Sequence, residues 1–167
     1  MSEGTSIPPI ATRLLDLIAN RVGSSAKVLD STPVQPVDML ASAGHPSVIY
    51  LSPSIDITYS VEVMNAGELR MNERFVLGIV CEVSAQAANI TLDDARHRCA
   101  ELMYAVLTVV ARNPGFGMLD DDQEHQYFET IPISGTYIHG SIGDSAIAVG
   151  VRHEVVLRCN NRLILTK

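Results

Sequence analysis

Apolar positions in this chain recur in two periods. In "SIPPIATRLLDLIANRVG", Ile10, Leu14, Leu17, Ile18 and Val22 share one helical face, Ser6 stands where an N-cap belongs, the prolines occupy a first turn that tolerates them, and Gly23 ends the run. This predicts a helix over 6–23. A longer helical period fills 91–112, where Leu92, Ala95, Cys99, Leu102, Met103, Val106 and Val110 lie on one face and Asp93, Asp94, His97, Arg98, Glu101 and Thr108 on the other. Thr91 and Asp94 have capping-box spacing, and Asn113, Pro114 and Gly115 end the helix. From Ala105 to Ala111 the polar face almost vanishes, so the second half is expected to be covered on more than one side.

Elsewhere the period is two. Ile55, Ile57, Tyr59, Val61 and Val63 alternate with Asp56, Thr58, Ser60 and Glu62, which predicts a half-buried strand. Phe75, Leu77, Ile79, Cys81 and Val83 alternate again after a turn around Asn65, Ala66 and Gly67, which makes the two segments a hairpin. "VIYLS" reads as a short strand, while the prolines of "AKVLDSTPVQPVDMLASAGHPS" predict a loop over 24–47. "YFETIPISGTYIHG" and "AIAVGVRHEVVLRC" read as a second strand pair, with "RLILT" either extending the last strand or leaving as a tail. The expected fold is α+β: one domain over 1–167, in which 48–163 form a mainly antiparallel sheet with the long helix, and the N-terminal helix packs beside it on the same face.

Composition adds a constraint on assembly. Of 167 residues, 47% are hydrophobic and only 19% charged, which is apolar enough that an oligomer is the expectation. No apolar run reaches the ~20 residues of a membrane-spanning helix, and "MSEGTSIPPIATRLL" lacks the basic start of a secretory signal, which places synthesis in a cytoplasm and predicts no membrane partner. The net charge of −7 disfavours gripping phosphates and suits a surface past which DNA slides.

Candidate chemistry is sparse. Cys81, Cys99 and Cys159 are an odd number, widely spaced within apolar segments, and are expected as small buried thiols. "LDDDQEHQ" gathers Asp120, Asp121, Asp122 and Glu124, yet it lacks the glycine and spacing of a calcium loop, which leaves a solvated or pore-lining loop as the expectation and no metal. Gly135, Gly140 and Gly143 miss any phosphate-binding spacing and read as loop glycines. His153 occupies the apolar register of its strand, as a core or interface histidine or as a general base; no nucleophile is placed to work with it, so no catalytic residue and no cofactor is expected.

"ERFVLGIVCEVSAQ", then "TLDDARHRCAELMYAVLTVVARNPGFG", a glycine-bearing loop and a final "AIAVGVRHEVVLRCNNRL" resemble the tail terminator proteins of long-tailed bacteriophages over residues 48–163. In that family a strand ending in small polar residues leads into a long helix that finishes near Asn-Pro, and a last strand closes the sheet. The resemblance implies a virion protein that forms a hexameric ring, caps the tail tube, stops its polymerisation and joins the tail to the head, with DNA passing through the lumen. It implies as partners the tail tube protein and a neck or connector protein. It directs the acidic residues Asp120, Asp121, Asp122 and Glu124 to the lumen or tube-facing rim, and Glu68, Arg70, Val106, Val109 and Val110 to tube or subunit contacts. Neck and head-completion proteins share this layout, and a subunit of a non-viral contractile or secretion tube would share the ring logic but not the head partner. From another class, a small ligand-binding or hydrolase domain would use His153 and Gly140 to line a pocket.

Overall fold

The computed structural model describes residues 7–30, 45–52, 55–63, 68–113, 125–141 and 149–166, with the backbone alone at 7–9, 62–63, 68–70, 125–129, 141 and 162–166. Helix α1 (Ile7–Val22) passes through a 3-10 turn at Gly23–Ser25 into β1 (Lys27–Val28). Then come β2 (Ser47–Leu51), β3 (Asp56–Val63), β4 (Glu68–Ser84), the single turn α2 (Ala85–Ala88), the long helix α3 (Leu92–Arg112), β5 (His125–Ser141) and β6 (Val149–Thr166). The expected turn at Asn65, Ala66 and Gly67, the Ser6 cap and most of the 24–47 loop lie outside the described residues.

The sheet is ordered β1-β2-β4-β6-β5, and β3 also pairs with β4. Every pairing is antiparallel except that of β1 with β2. β4 is long enough to hold two partners on one edge: β3 lies along Leu69–Val76 and β2 along Ile79–Val83. The α+β class with helices on one face is as the periodicities predict.

That face is built by β4's odd-numbered residues. Phe75, Leu77, Ile79, Cys81 and Val83 are buried with Val151, Val155, Leu157 and Cys159 of β6 beneath α3 and α1. α1 inserts Ile10, Leu14, Ile18 and Val22, and Gly23 at φ 56° supplies the left-handed residue that ends it. At α3 the capping box forms as expected: Asp94 N–H donates to Thr91 Oγ1 at 3.1 Å, and Thr91 N–H to Asp94 Oδ2 at 3.3 Å.

Four expectations are corrected. Lys27 and Val28, within the expected loop, form a parallel strand, a two-residue element too short to leave a period. Gly135 and Gly140 sit inside β5 rather than in a loop; Gly140 has φ 109°, and a side chain at Gly135 would lie 2.9 Å from the Glu154 carbonyl oxygen. β3 is a strand but not half-buried, with Ile57, Tyr59 and Val61 at 41%, 48% and 56% exposure. Val106, Val109 and Val110 are 0%, 5% and 2% exposed, so they belong to the chain's own core and offer no surface to a partner; α1 and the sheet supply the cover on two sides.

Val106→Ala should therefore lower the stability of the isolated chain by about 2 kcal/mol, and Ile79→Ala by about 3 kcal/mol, in urea denaturation followed by circular dichroism. An unchanged midpoint for Val106→Ala contradicts this placement.

Candidate functional site

The residues singled out by sequence separate into three regions. Asp120, Asp121, Asp122 and Glu124 lie outside the described residues. Their segment enters β5 at His125, which pairs with Leu163 of β6; Leu163 in turn pairs with Met71 of β4. Glu68 and Arg70 begin β4 at this same end, facing Thr166 and Ile164 of β6. Glu68 and Arg70 thus lie at the end of the sheet where β5 also begins.

His153 lies at the other end, half-buried between α3 and the β5 edge. It pairs with Cys81 on one side and Tyr137 on the other, and Tyr137 meets its ring edge-on at 5.5 Å between centroids. Burial holds the His153 pKa below its ordinary value, which keeps the imidazole neutral. Beside it His139 Nδ1 lies 3.0 Å from the Arg96 guanidinium and accepts from it, so a neutral His139 carries its proton on Nε2. Cys99 Sγ donates to the Cys81 carbonyl at 3.6 Å. Burial pushes the Cys99 thiol up to about 11 and Cys159 up to about 12, and raises Cys81 as well. All three thiols are buried and free, as expected, and protonated at neutral pH they are poor nucleophiles. Among the described residues no three His, Cys, Asp or Glu side chains converge as metal ligands.

A polar network that the sequence reading missed lies on the opposite face of the sheet. Tyr50 O–H donates to Glu82 Oε1 at 2.8 Å, and Arg152 stands 3.7 Å from both Glu82 and Glu154 carboxylates. Glu82 is buried, and desolvation raises its pKa despite the opposing effects of the Tyr50 hydrogen bond and Arg152. Gly78 makes room here: a side chain on it would come within 2.7 Å of Glu154 Oε1 and Ser52 Cβ. The available signal was "VIY", a run without alternation, since Val48, Ile49 and Tyr50 are buried on both faces of β2.

Among the described residues two surface grooves stand out. The larger, about 540 Å³, runs between α1 and α3 and carries Arg21, Arg98 and His97 beside Asp94 and Glu101, so its charges are mixed. The smaller follows α1, Val28, Asp30 and Leu51. His153 and Gly140, the pocket residues of the hydrolase alternative, line neither.

The remaining feature is apolar surface on the sheet. Ile57, Tyr59 and Val61 of β3 and Ile133, Tyr137 and Ile138 of β5 are exposed on the two outermost long strands, along with Tyr104 on α3. Among the described residues, β3 pairs only with β4 and β5 only with β6, so each keeps one edge open.

The raised Glu82 pKa has a sign that can be tested. Protonation is easier in the folded state than in the unfolded chain, so this group's contribution is full below the unfolded pKa and is lost as pH rises through the folded one. Glu82→Gln, which retains an acceptor for Tyr50, should gain stability relative to the parent as pH rises above the ordinary carboxylate range, in urea denaturation; a gap that stays constant with pH refutes the assignment. The chain matches no protein-family model, and no curated protein matches it in sequence.

Proposed function

We propose that the chain is a structural assembly subunit, a tail terminator that closes into a six-membered ring on a phage tail tube, stops its growth and presents the surface that meets the head. The observation that carries this reading is the apolar surface of the sheet. The row Ile57, Tyr59 and Val61 and the exposed Tyr137 and Ile138 lie on strands that, among the described residues, have one unpaired edge each. Exposed apolar residues along an unpaired edge favour association with another chain. A ring needs two different patches on each subunit, and β3 and β5 lie on opposite borders of the sheet.

Further support comes from charge and placement. A net charge of −7 suits a lumen that passes DNA without holding it. Asp120, Asp121, Asp122 and Glu124 are assigned to that lumen or to the tube-facing rim. Glu68 and Arg70 are assigned to the tube contact, because β4 begins at the end of the sheet where β5 also begins. The residues around His153 carry no role in this reading beyond packing. Among the described residues no helix is long and apolar enough to cross a membrane.

Light scattering across a concentration series, followed by negative-stain imaging with the tail tube protein and separately with a neck protein, tests the proposal. The expected result is a hexameric ring, free or capping tubes of defined length. Rings that bind only the neck protein transfer the chain to the head-completion class. A monomer at every concentration that ignores tubes overturns the assembly reading.

A further inference from the structure

We infer that Arg152 changes partner with the protonation of Glu82: it stays with Glu154 while the Glu82 carboxyl is neutral and closes onto Glu82 once that carboxyl ionises, which leaves Glu154 as an unpaired carboxylate beside β5. The device needs only one copy of the chain and stands apart from the ring reading.

Strand register sets the groups side by side. On the face away from the helices, Glu82 of β4 stands directly opposite Arg152 of β6, with Val48 of β2 on its other side. One row along, Val80 has Tyr50 on one side and Glu154 on the other. Arg152 and Glu154 are two residues apart on one strand and project to the same face. Arg152 can therefore reach a carboxylate across the ladder or one along its own strand. It holds neither closely: Arg152 Nε lies 3.7 Å from Glu82 Oε1 and Nη2 lies 3.7 Å from Glu154 Oε2, both beyond the roughly 3 Å of a direct hydrogen bond. A movement of about 1 Å towards either carboxylate completes a charge-assisted bond to it.

The two carboxylates differ in their surroundings. The Glu82 side chain is 3% exposed and that of Glu154 23%. Tyr50 O–H donates to Glu82 Oε1 at 2.8 Å, whereas Glu82 Oε2 is buried without a hydrogen-bond partner. A bare oxygen is tolerable on a neutral carboxyl and costly on an anion, so ionisation of Glu82 calls for a cation. Among the described residues the charged and titratable groups on this face are few. β2 presents Tyr50, β6 presents Arg152 and Glu154, and β5 places the uncharged Thr136 and Ile138 beside them. From β1, Lys27 stands in the row of Val48 and Glu82, but exposed and with β2 between. Arg152 is thus the cation within reach, and a guanidinium keeps its charge throughout this range.

The proton belongs to Glu82. Burial raises its pKa against the Tyr50 hydrogen bond and Arg152, so the neutral form persists above the ordinary carboxylate range. Tyr50 does not compete, because burial and the neighbouring Glu82 push its own pKa up and keep the phenol a donor in either state. Gly78 holds the other end of the exchange: Glu154 Oε1 and Ser52 Cβ each lie 2.7 Å from where a side chain on it would begin, so Glu154 rests over the glycine beside Ser52. When Arg152 turns inward, the negative charge gained by a buried group appears at the surface, next to Thr136 and Ile138.

The test is a pH titration of the full-length chain by NMR, with arginine labelled at Nε and glutamate at the carboxyl carbon. As pH rises above the ordinary carboxylate range, the Arg152 Nε–H resonance should move with the same midpoint as the Glu82 carboxyl. Glu82→Gln should hold the Arg152 resonance at its low-pH position throughout. Glu154→Gln should lower the Glu82 midpoint, because Arg152 then has one partner. An Arg152 resonance that stays still while Glu82 ionises in the parent overturns the exchange without any variant. A Glu82 carboxyl that ionises within the ordinary range, or an Arg152 resonance that still titrates in Glu82→Gln, overturns it equally.

Discussion

Helix and strand advance at different rates, and this chain gives them similar residue counts. β4 and β6 have 17 and 18 residues, α3 has 21. At about 3.3 Å per strand residue and 1.5 Å per helix residue, the strands run well over 50 Å and the helix only about 32 Å. One helix length cannot cover the sheet. α3 and α1 bury the register from Val83 to Phe75, and beyond it the strands continue to Leu69 with β3 alongside. Ile57 and Tyr59, however, stand beside Phe75 and Glu73, which are buried, so the exposed row on β3 lies to the side of the covered rows as well as towards their end.

At the other end the sheet is buried on both faces, which has a different consequence. Tyr50, Val48, Val80 and Glu82 are all buried on the side away from the helices. A carboxylate there must be desolvated, and Tyr50 and Arg152 offset only part of that cost, which is why its proton is held more tightly. The close approach at Gly78 fits the same picture: Ser52 and Glu154 lie over it because nothing projects from that position. The protein thus has one tightly determined end and one end with apolar side chains in solvent.

Local signals were legible in the sequence where the neighbour that satisfies them is also local. The capping box at Thr91 and Asp94 closes within one turn, and the apolar faces of α1 and α3 needed only a sheet beneath them. The three thiols fell on buried positions because their flanking residues set the period. Cover from a distant element was not legible. The nearly all-apolar second half of α3 is the same string whether α1 or another subunit lies over it, and α1 does. Alternation in β3 encodes a strand but not whether its apolar side is covered. The glycines of β5 looked like a break because strands rarely hold Gly and Pro in their interior; an edge strand with a bulge can. Of the candidate site, the acidic stretch and the start of β4 were chosen from sequence, while the open edges became visible only once pairing partners were known.

Open edges are hazardous in a chain of this topology. Glu68 pairs with Thr166, so the longest ladder in the sheet closes only after almost a hundred residues of chain have been synthesised and brought back. β4, α2 and α3 are consecutive and can pack early, because Asn89 in the left-handed conformation and the Ser84 cap turn the chain directly from strand into helix. Until β6 arrives, the β4 edge that it will occupy and the apolar face of β3 are available to other chains. Neither lysine nor proline occurs in β3, so what opposes pairing between like edges is charge: its sequence holds two acidic residues and no basic one, in a chain that already carries −7. Repulsion between identical edges disfavours contact between two β3 strands, and contact between unlike patches is the kind that closes a ring.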